Sequence, residues 1–305
     1  MPARKHAGRT TLPYNVTVIG TGRAGRAVAR LLHKAGCAIE CVVNRSAQSA
    51  KLLSKELHAR ITTTDFRKIP STTNFILISV TDENIGEVAA ALAENKQIAF
   101  RRLITVHLSG ALTRDALKPL QIKGATTLAL HPAFPFSSLR VMPEQLKNIG
   151  WGVECDTKDR LVARRIIEAF RGVPIRVSPK NKILYHAACT IASNFLVVLE
   201  DAALQLLAEA GISPRNSRHI IQPLVQATVN NISGKPDLPI NKKITGPAAR
   251  GDAQTIYNHM QTVAYNKDIE KIYRDMTAAA IEIVKRNKNL RAEAILKMEK
   301  ILHNA

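Results

Sequence analysis

Three glycines in the run Asn15-Val16-Thr17-Val18-Ile19-Gly20-Thr21-Gly22-Arg23-Ala24-Gly25 have the G-x-G-x-x-G spacing of a turn that cradles a nucleotide diphosphate. Each glycine has its own task. Gly20 permits a sharp exit from a strand, Gly22 lets the backbone approach the phosphates, and Gly25 lets the next helix seat closely on the sheet. The N–H groups that open that helix, around Thr21, Arg23 and Ala24, and its positive dipole end favour an anion. An NAD site carries a carboxylate about 20 residues further on to accept from the ribose 2′-hydroxyl. Here the corresponding stretch reads Asn44-Arg45-Ser46. A guanidinium at Arg45 suits a 2′-phosphate, with Asn44 and Ser46 as hydrogen-bonding neighbours, so the expected cofactor is NADP(H). The bland alternative leaves Arg45 as a solvated surface charge.

Further candidates follow in chain order. Val80-Thr81 and His107-Leu108-Ser109-Gly110 stand at the ends of two apolar runs, where a doubly wound sheet binds its ligands, so both are expected to line the cofactor groove or, failing that, to cap strands. His131, before Pro132-Ala133-Phe134-Pro135-Phe136, is a candidate general acid, half charged near neutrality, or else a structural histidine. His186, Thr190 and Asn194 recur every four positions and share one face of a helix; they either pair with one another or line a pocket. In Thr245-Gly246-Pro247-Ala248-Ala249-Arg250-Gly251-Asp252, Arg250 could clamp a substrate carboxylate or phosphate, with Asp252 a further substrate-binding candidate; alternatively, Asp252 caps the helix that follows and Arg250 pairs with a nearby acid.

The elements that must position these groups are legible from periodicity. Val16 to Ile19 reads as a strand, Ala24 to Ala35 as a helix stopped by Gly36, and Ile39 to Val43 as the next strand, which completes a βαβ unit. Alternation continues through a helix at Ala47–Leu57, a strand at Asn74–Val80, a helix at Ile85–Leu92, and strands at Leu103–His107 and Thr126–Leu130. Between Trp151 and Val177 the order is strand, helix, strand, which either extends the sheet or forms a small bridging unit. Ser178-Pro179-Lys180-Asn181-Lys182 breaks the pattern. The expected division is therefore a tail at 1–12, a nucleotide-binding α/β domain at 13–178, and an all-α domain at 179–305. Ile183 to Ala210 reads as one long helix, apolar nearly all round in its first half; it is expected to be a buried helix of a soluble protein and the seat of a homodimer.

With 305 residues, 46% of them hydrophobic, the chain can bury two cores. Cys37, Cys41, Cys155 and Cys189 form no ligand cluster and suit a reducing, cytoplasmic setting; no metal is expected. The formal net charge of +20 is spread over the chain, and aromatic residues make up only 4%, so neither specific nucleic-acid binding nor a membrane location is expected.

Together, Gly20 to Gly25, Asn44-Arg45-Ser46, His107-Leu108-Ser109-Gly110-Ala111, His131-Pro132, Tyr185-His186-Ala187-Ala188 with Ser193-Asn194, and Thr245-Gly246-Pro247 with Arg250-Gly251-Asp252 resemble a known family. It comprises Rossmann-like proteins with a C-terminal domain of unknown function, within the 6-phosphogluconate dehydrogenase and pyrroline-5-carboxylate reductase superfamily. The resemblance implies an NADP-binding Rossmann domain, a helical dimerisation domain, and a cleft for a small-molecule substrate. One departure is informative: β-hydroxyacid dehydrogenases of that superfamily carry a lysine four residues before the asparagine, and this chain has Thr190 before Asn194. Threonine is no comparable acid near neutrality. A reductase built on this chain would draw its proton from His131 or His186, or take an imine that arrives protonated. The other reading is a non-catalytic NADP sensor or assembly protein.

Overall fold

The computed structural model describes residues 11–234 and 239–304. Along the first part run β1 (Asn15–Ile19), α1 (Arg23–Lys34), β2 (Ala38–Val43), α2 (Ala47–Leu57), β3 (Ile61–Thr63), β4 (Phe75–Ile78), α3 (Asp82–Ala93), β5 (Ile104–His107), α4 (Lys118–Ile122), β6 (Thr126–Pro132), β7 (Gly150–Glu154), α5 (Arg160–Ala169) and β8 (Val173–Arg176). The strands form one sheet in the order β3-β2-β1-β4-β5-β6-β7-β8. All are parallel from β3 to β6; β7 runs antiparallel to β6, and β8 parallel to β7. The strand–helix–strand unit at 150–176 thus extends the sheet.

Alternate side chains of each central strand enter opposite cores, as the two-residue repeat requires. Phe75 and Leu77 of β4 pack with Leu31 and Leu32 of α1, Leu53 of α2 and Ile166 of α5, while Ile76 and Ile78 pack with Ile85 and Leu92 of α3 and Leu120 of α4. Helices therefore cover both faces, the doubly wound arrangement the alternation predicts. β3 is not legible in the sequence; three residues are too few to show a period. Of the expected tail, residues 1–10 lie outside the described residues; Leu12 is 3% exposed and donates its N–H to the Ala35 carbonyl (2.8 Å).

The remainder is helical: α6 (Lys182–Glu209), α7 (Pro214–Ser233), α8 (Pro247–Arg250), α9 (Ala253–Val263), α10 (Lys267–Asn287) and α11 (Ala292–Asn304), with no strand after β8 among the described residues. Contacts divide the chain within α6, the first unit ending at Ser193 and the second starting at Asn194. Ile256, Met260, Ile281, Met298 and Leu302 form the main core of the second unit.

Contrary to the expectation of burial, α6 is largely uncovered. The stretch from Pro179 to Glu209 is long and apolar enough to cross a membrane by length and composition, and only 6% of its most apolar window is buried. Ile183, Leu184, Ile191, Phe195 and Val197 are all exposed along it. Apolarity on all sides does call for partners on several sides, but one chain does not supply them.

A buried ion pair ties β7 to the start of α6. Lys182 Nζ donates to Glu154 Oε2 (3.1 Å), and the two side chains are 2% and 3% exposed; the second carboxylate oxygen accepts the Arg114 N–H at 3.0 Å. Burial holds the lysine below its ordinary range, against the pull of Glu154. Removing one member of such a pair strands the other charge, a change that costs about 3–5 kcal/mol. Glu154→Ala is expected to lose about that much in urea unfolding, with Glu154→Leu/Lys182→Met recovering part of it; a loss under about 1 kcal/mol would show the pair to be incidental.

Candidate active site

The glycine turn has the geometry its spacing implies. Gly20 adopts φ +90°, and a Cβ there would overlap the Ser79 carbonyl oxygen; a Cβ on Gly25 would lie 2.7 Å from the Gly20 oxygen and 2.9 Å from Ser79 Oγ. Gly22 differs, with nothing within 4 Å of where its Cβ would stand. Its neighbourhood is open space at the mouth of α1, where the first N–H groups lack helical partners and no side chain caps them. A cavity of about 400 Å³ opens there, lined among others by Gly20, Thr21, Gly22, Asn44, Arg45, Val80 and Thr81. Glu87 of α3 is the one carboxylate among its lining residues.

Two members of the expected set are used otherwise. Ser46 Oγ accepts the Ser49 N–H (3.3 Å) and caps α2 outside the cavity lining. His107 is fully buried: its Nδ1 accepts the Ser109 N–H (3.2 Å) and its Nε2 donates to the Thr113 carbonyl (3.2 Å). Burial, with the nearby Lys182 charge, pushes its pKa down to about 3. This imidazole shapes a loop rather than facing a ligand.

Sequence reasoning misses Arg26, which sits in the first turn of α1 and reads as a surface charge. It is buried, and its Nε donates to the Thr21 carbonyl (2.9 Å) while Nη2 donates to the Ser49 carbonyl (3.0 Å). The same two residues are joined through their hydroxyls at 2.7 Å. One guanidinium therefore braces the glycine turn against the start of α2, next to Asn44-Arg45.

A second group adjoins the cavity at the ends of β5 and β6. Ser109 Oγ donates to Asp82 (2.7 Å), the residue after Thr81, and accepts the N–H groups of Ala111 (3.1 Å) and Leu112 (2.9 Å). This fixes Gly110, where a Cβ would overlap the His186 ring and stand 2.9 Å from His131 Nε2. The two imidazoles meet edge to face, with centroids 5.8 Å apart. His131 lies within β6, paired with Gly152 of β7, rather than beyond the strand end. Its Nδ1 is 2.9 Å from the Tyr185 hydroxyl. Tyr185 reaches it only because Gly152 has no side chain: a Cβ there would lie 2.8 Å from the phenol oxygen. Sequence reasoning misses this hydroxyl too, since its partner glycine is distant in the chain.

Burial, then the charges of His186 and Lys182, push the His131 pKa down to about 4, while Asp82 pulls the other way. The expectation of a half-charged histidine near neutrality is therefore corrected: the ring is neutral at pH 7. Burial, followed by Cys189, raises the Tyr185 phenol above its usual range. A Tyr185 hydroxyl that donates to Nδ1 would leave the His131 proton on Nε2, the nitrogen that faces Gly110.

The remaining candidates stand as follows. Thr190 Oγ1 donates to the His186 carbonyl one turn back (3.1 Å), so its proton is held by the helix while the oxygen can still accept. Asn194 is exposed on α6. Asp252 caps α9, accepting the Thr255 N–H (3.0 Å) and hydroxyl (2.7 Å), which hold its carboxyl below the usual range. Arg250 is exposed, 3.9 Å from the Asp252 carboxylate. No group of three or more potential metal ligands occurs among the described residues.

Comparison with known proteins agrees with this architecture. Residues 4–132 match the Rossmann-like domain model, and residues 149–280 match the domain of unknown function DUF2520. No curated protein matches the sequence. Among solved structures, a protein assigned as an NADP oxidoreductase from Bacteroides fragilis superposes with a TM-score of 0.71 at 21% identity, covering 88% of this chain and 98% of that one. A Thermotoga maritima protein does so at 0.68 and 22%, covering 90% and 100%. An imine reductase from Myxococcus stipitatus, solved with NADP+, gives 0.60 and 17%, covering 94% and 99%. These likenesses are of fold. A Rossmann-like domain model and a DUF2520 model thus match two consecutive stretches of the chain.

Proposed function

We propose that this protein is an NADP(H)-dependent oxidoreductase acting on a small carbonyl or imine substrate. The observation that carries the reading is the open backbone at Gly22, on a cavity that Asn44 and Arg45 also line. The diphosphate would rest on the N–H groups at Thr21 to Gly25, and Arg45 would hold the 2′-phosphate. The bound dinucleotide would supply the hydride.

The chain's own groups then favour one substrate class. Ser109 and Gly110 shape the pocket floor, and the neutral His131 presents an N–H from Nε2, its tautomer held by Tyr185. A neutral imidazole is a hydrogen-bond donor but a poor source of a full proton at pH 7. A C=N substrate that arrives protonated needs only the former. His186, beside His131, contributes a second polar ring; Asn194, Thr190 and Arg250 are assigned to substrate contacts on the strength of the family resemblance.

The exposed apolar length of α6 supports a homodimer, in which a second copy covers Ile191, Phe195 and Val197.

Three outcomes test these statements. Wild type is expected to bind NADPH at least tenfold more tightly than NADH by fluorescence titration, and Arg45→Ala to remove that preference; equal affinities throughout would discard the cofactor assignment. Across cyclic imines, kcat/KM corrected for the substrate's own iminium ionisation should stay level from about pH 8 to 5.5 and fall as His131 gains its second proton near about 4. His131→Asn should lower it roughly 10²-fold, whereas an inflection near 6.5 would contradict the neutral-donor role, and NADPH binding without turnover would favour the sensor reading. Light scattering should give twice the chain mass for wild type and a monomer for Ile191→Glu/Val197→Glu; a monomeric wild type would refute the dimer.

A further inference from the structure

A second cavity of about 240 Å³ lies between the ends of β7 and β8 and the start of α5. Three guanidiniums line it. Arg160 and Arg164 are one turn apart on α5, and Arg176 ends β8, paired in register with Val153 so that the two side chains share the face on which α5 packs. Arg164 has a carboxylate partner, Glu168 (2.7 Å), on the same helix. Among the described residues, no ion pair is found for Arg160 or Arg176. Ser178 adds an independent signal: the residue lines the cavity, and its hydroxyl is buried without a hydrogen-bond partner and does not cap the turn that follows it. The one acid in the wall, Glu154, has both oxygens occupied, by Lys182 and the Arg114 N–H.

Cations gathered around a small cavity repel one another, and a buried hydroxyl without a partner carries a desolvation cost; an oxyanion relieves both. The volume is below the roughly 300–1,000 Å³ of pockets for drug-sized ligands, so it suits a compact group of a few heavy atoms. We propose that this pocket is an anion site, distinct from the glycine turn, that binds the phosphate group of a small metabolite, or free phosphate, through Arg160, Arg176 and the Ser178 hydroxyl. The site is independent of the oxidoreductase reading, because none of its residues lines the other cavity.

Inorganic phosphate is the probe, titrated by calorimetry into the full chain at constant chloride ionic strength. Wild type should show saturable binding, Arg160→Gln/Arg176→Gln should weaken it at least tenfold, and Arg45→Ala should leave that component unchanged. Both arginines are exposed, so the double variant should keep its fold; Ser178→Ala, which preserves every charge, should weaken binding about threefold and serves where the double variant is unstable. Phosphate binding that survives both the double variant and Ser178→Ala, that disappears with Arg45→Ala alone, or that does not saturate, would overturn the assignment. Glycerol phosphate titrated in parallel separates the two sources: tighter binding than inorganic phosphate identifies a phosphorylated metabolite, and equal or weaker binding identifies free phosphate.

Discussion

The backbone of Gly20 crosses the end of β4 so closely that a side chain there would occupy the position of the Ser79 oxygen. Every later feature of the nucleotide mouth follows from that approach. It brings the start of α1 over the strand ends, and it forces Gly25, which packs on the same serine, to be small as well. It leaves Gly22, which touches nothing, as the surface from which N–H groups can face a ligand. Arg26 then fastens this turn to Ser49 at the start of α2 through two hydrogen bonds.

A comparable logic governs the histidine group. Gly110 and Gly152 are the absences that let three rings converge: the first admits His131 and His186, and the second admits Tyr185. Lys182 and Glu154 lock the end of β7 to the helix that carries Tyr185 and His186, and the lysine's charge helps to keep His131 neutral. One buried pair therefore both holds the sheet to α6 and bears on the charge of the neighbouring imidazole.

Local features are legible in the sequence, and tertiary ones are not. The glycine spacing, the βαβ order and the position of Arg45 beside the turn can be read because each depends on residues close in the chain. Ser46 and His107 illustrate the limit. Both are polar residues at strand ends, where ligand contact and capping look alike, and only the bond partners Ser49, Ser109 and Thr113 separate the two roles. Tyr185 depends on Gly152, and Lys182 on Glu154; charged and phenolic groups read as surface until a distant partner buries them. For α6 the failure is of another kind, because apolar composition specifies that a surface must be covered without saying by which chain.

The two margins of the sheet bear on how such a molecule can associate. β3 offers three residues of main chain, and β8 carries Pro174, which has no N–H to donate, two residues before Arg176. Val173 and Ile175 are about half exposed on β8, a greasy rim that would otherwise invite another strand to add on. One margin is three residues long and the other lacks an N–H at Pro174, so neither offers a long run of unpaired main chain to another strand.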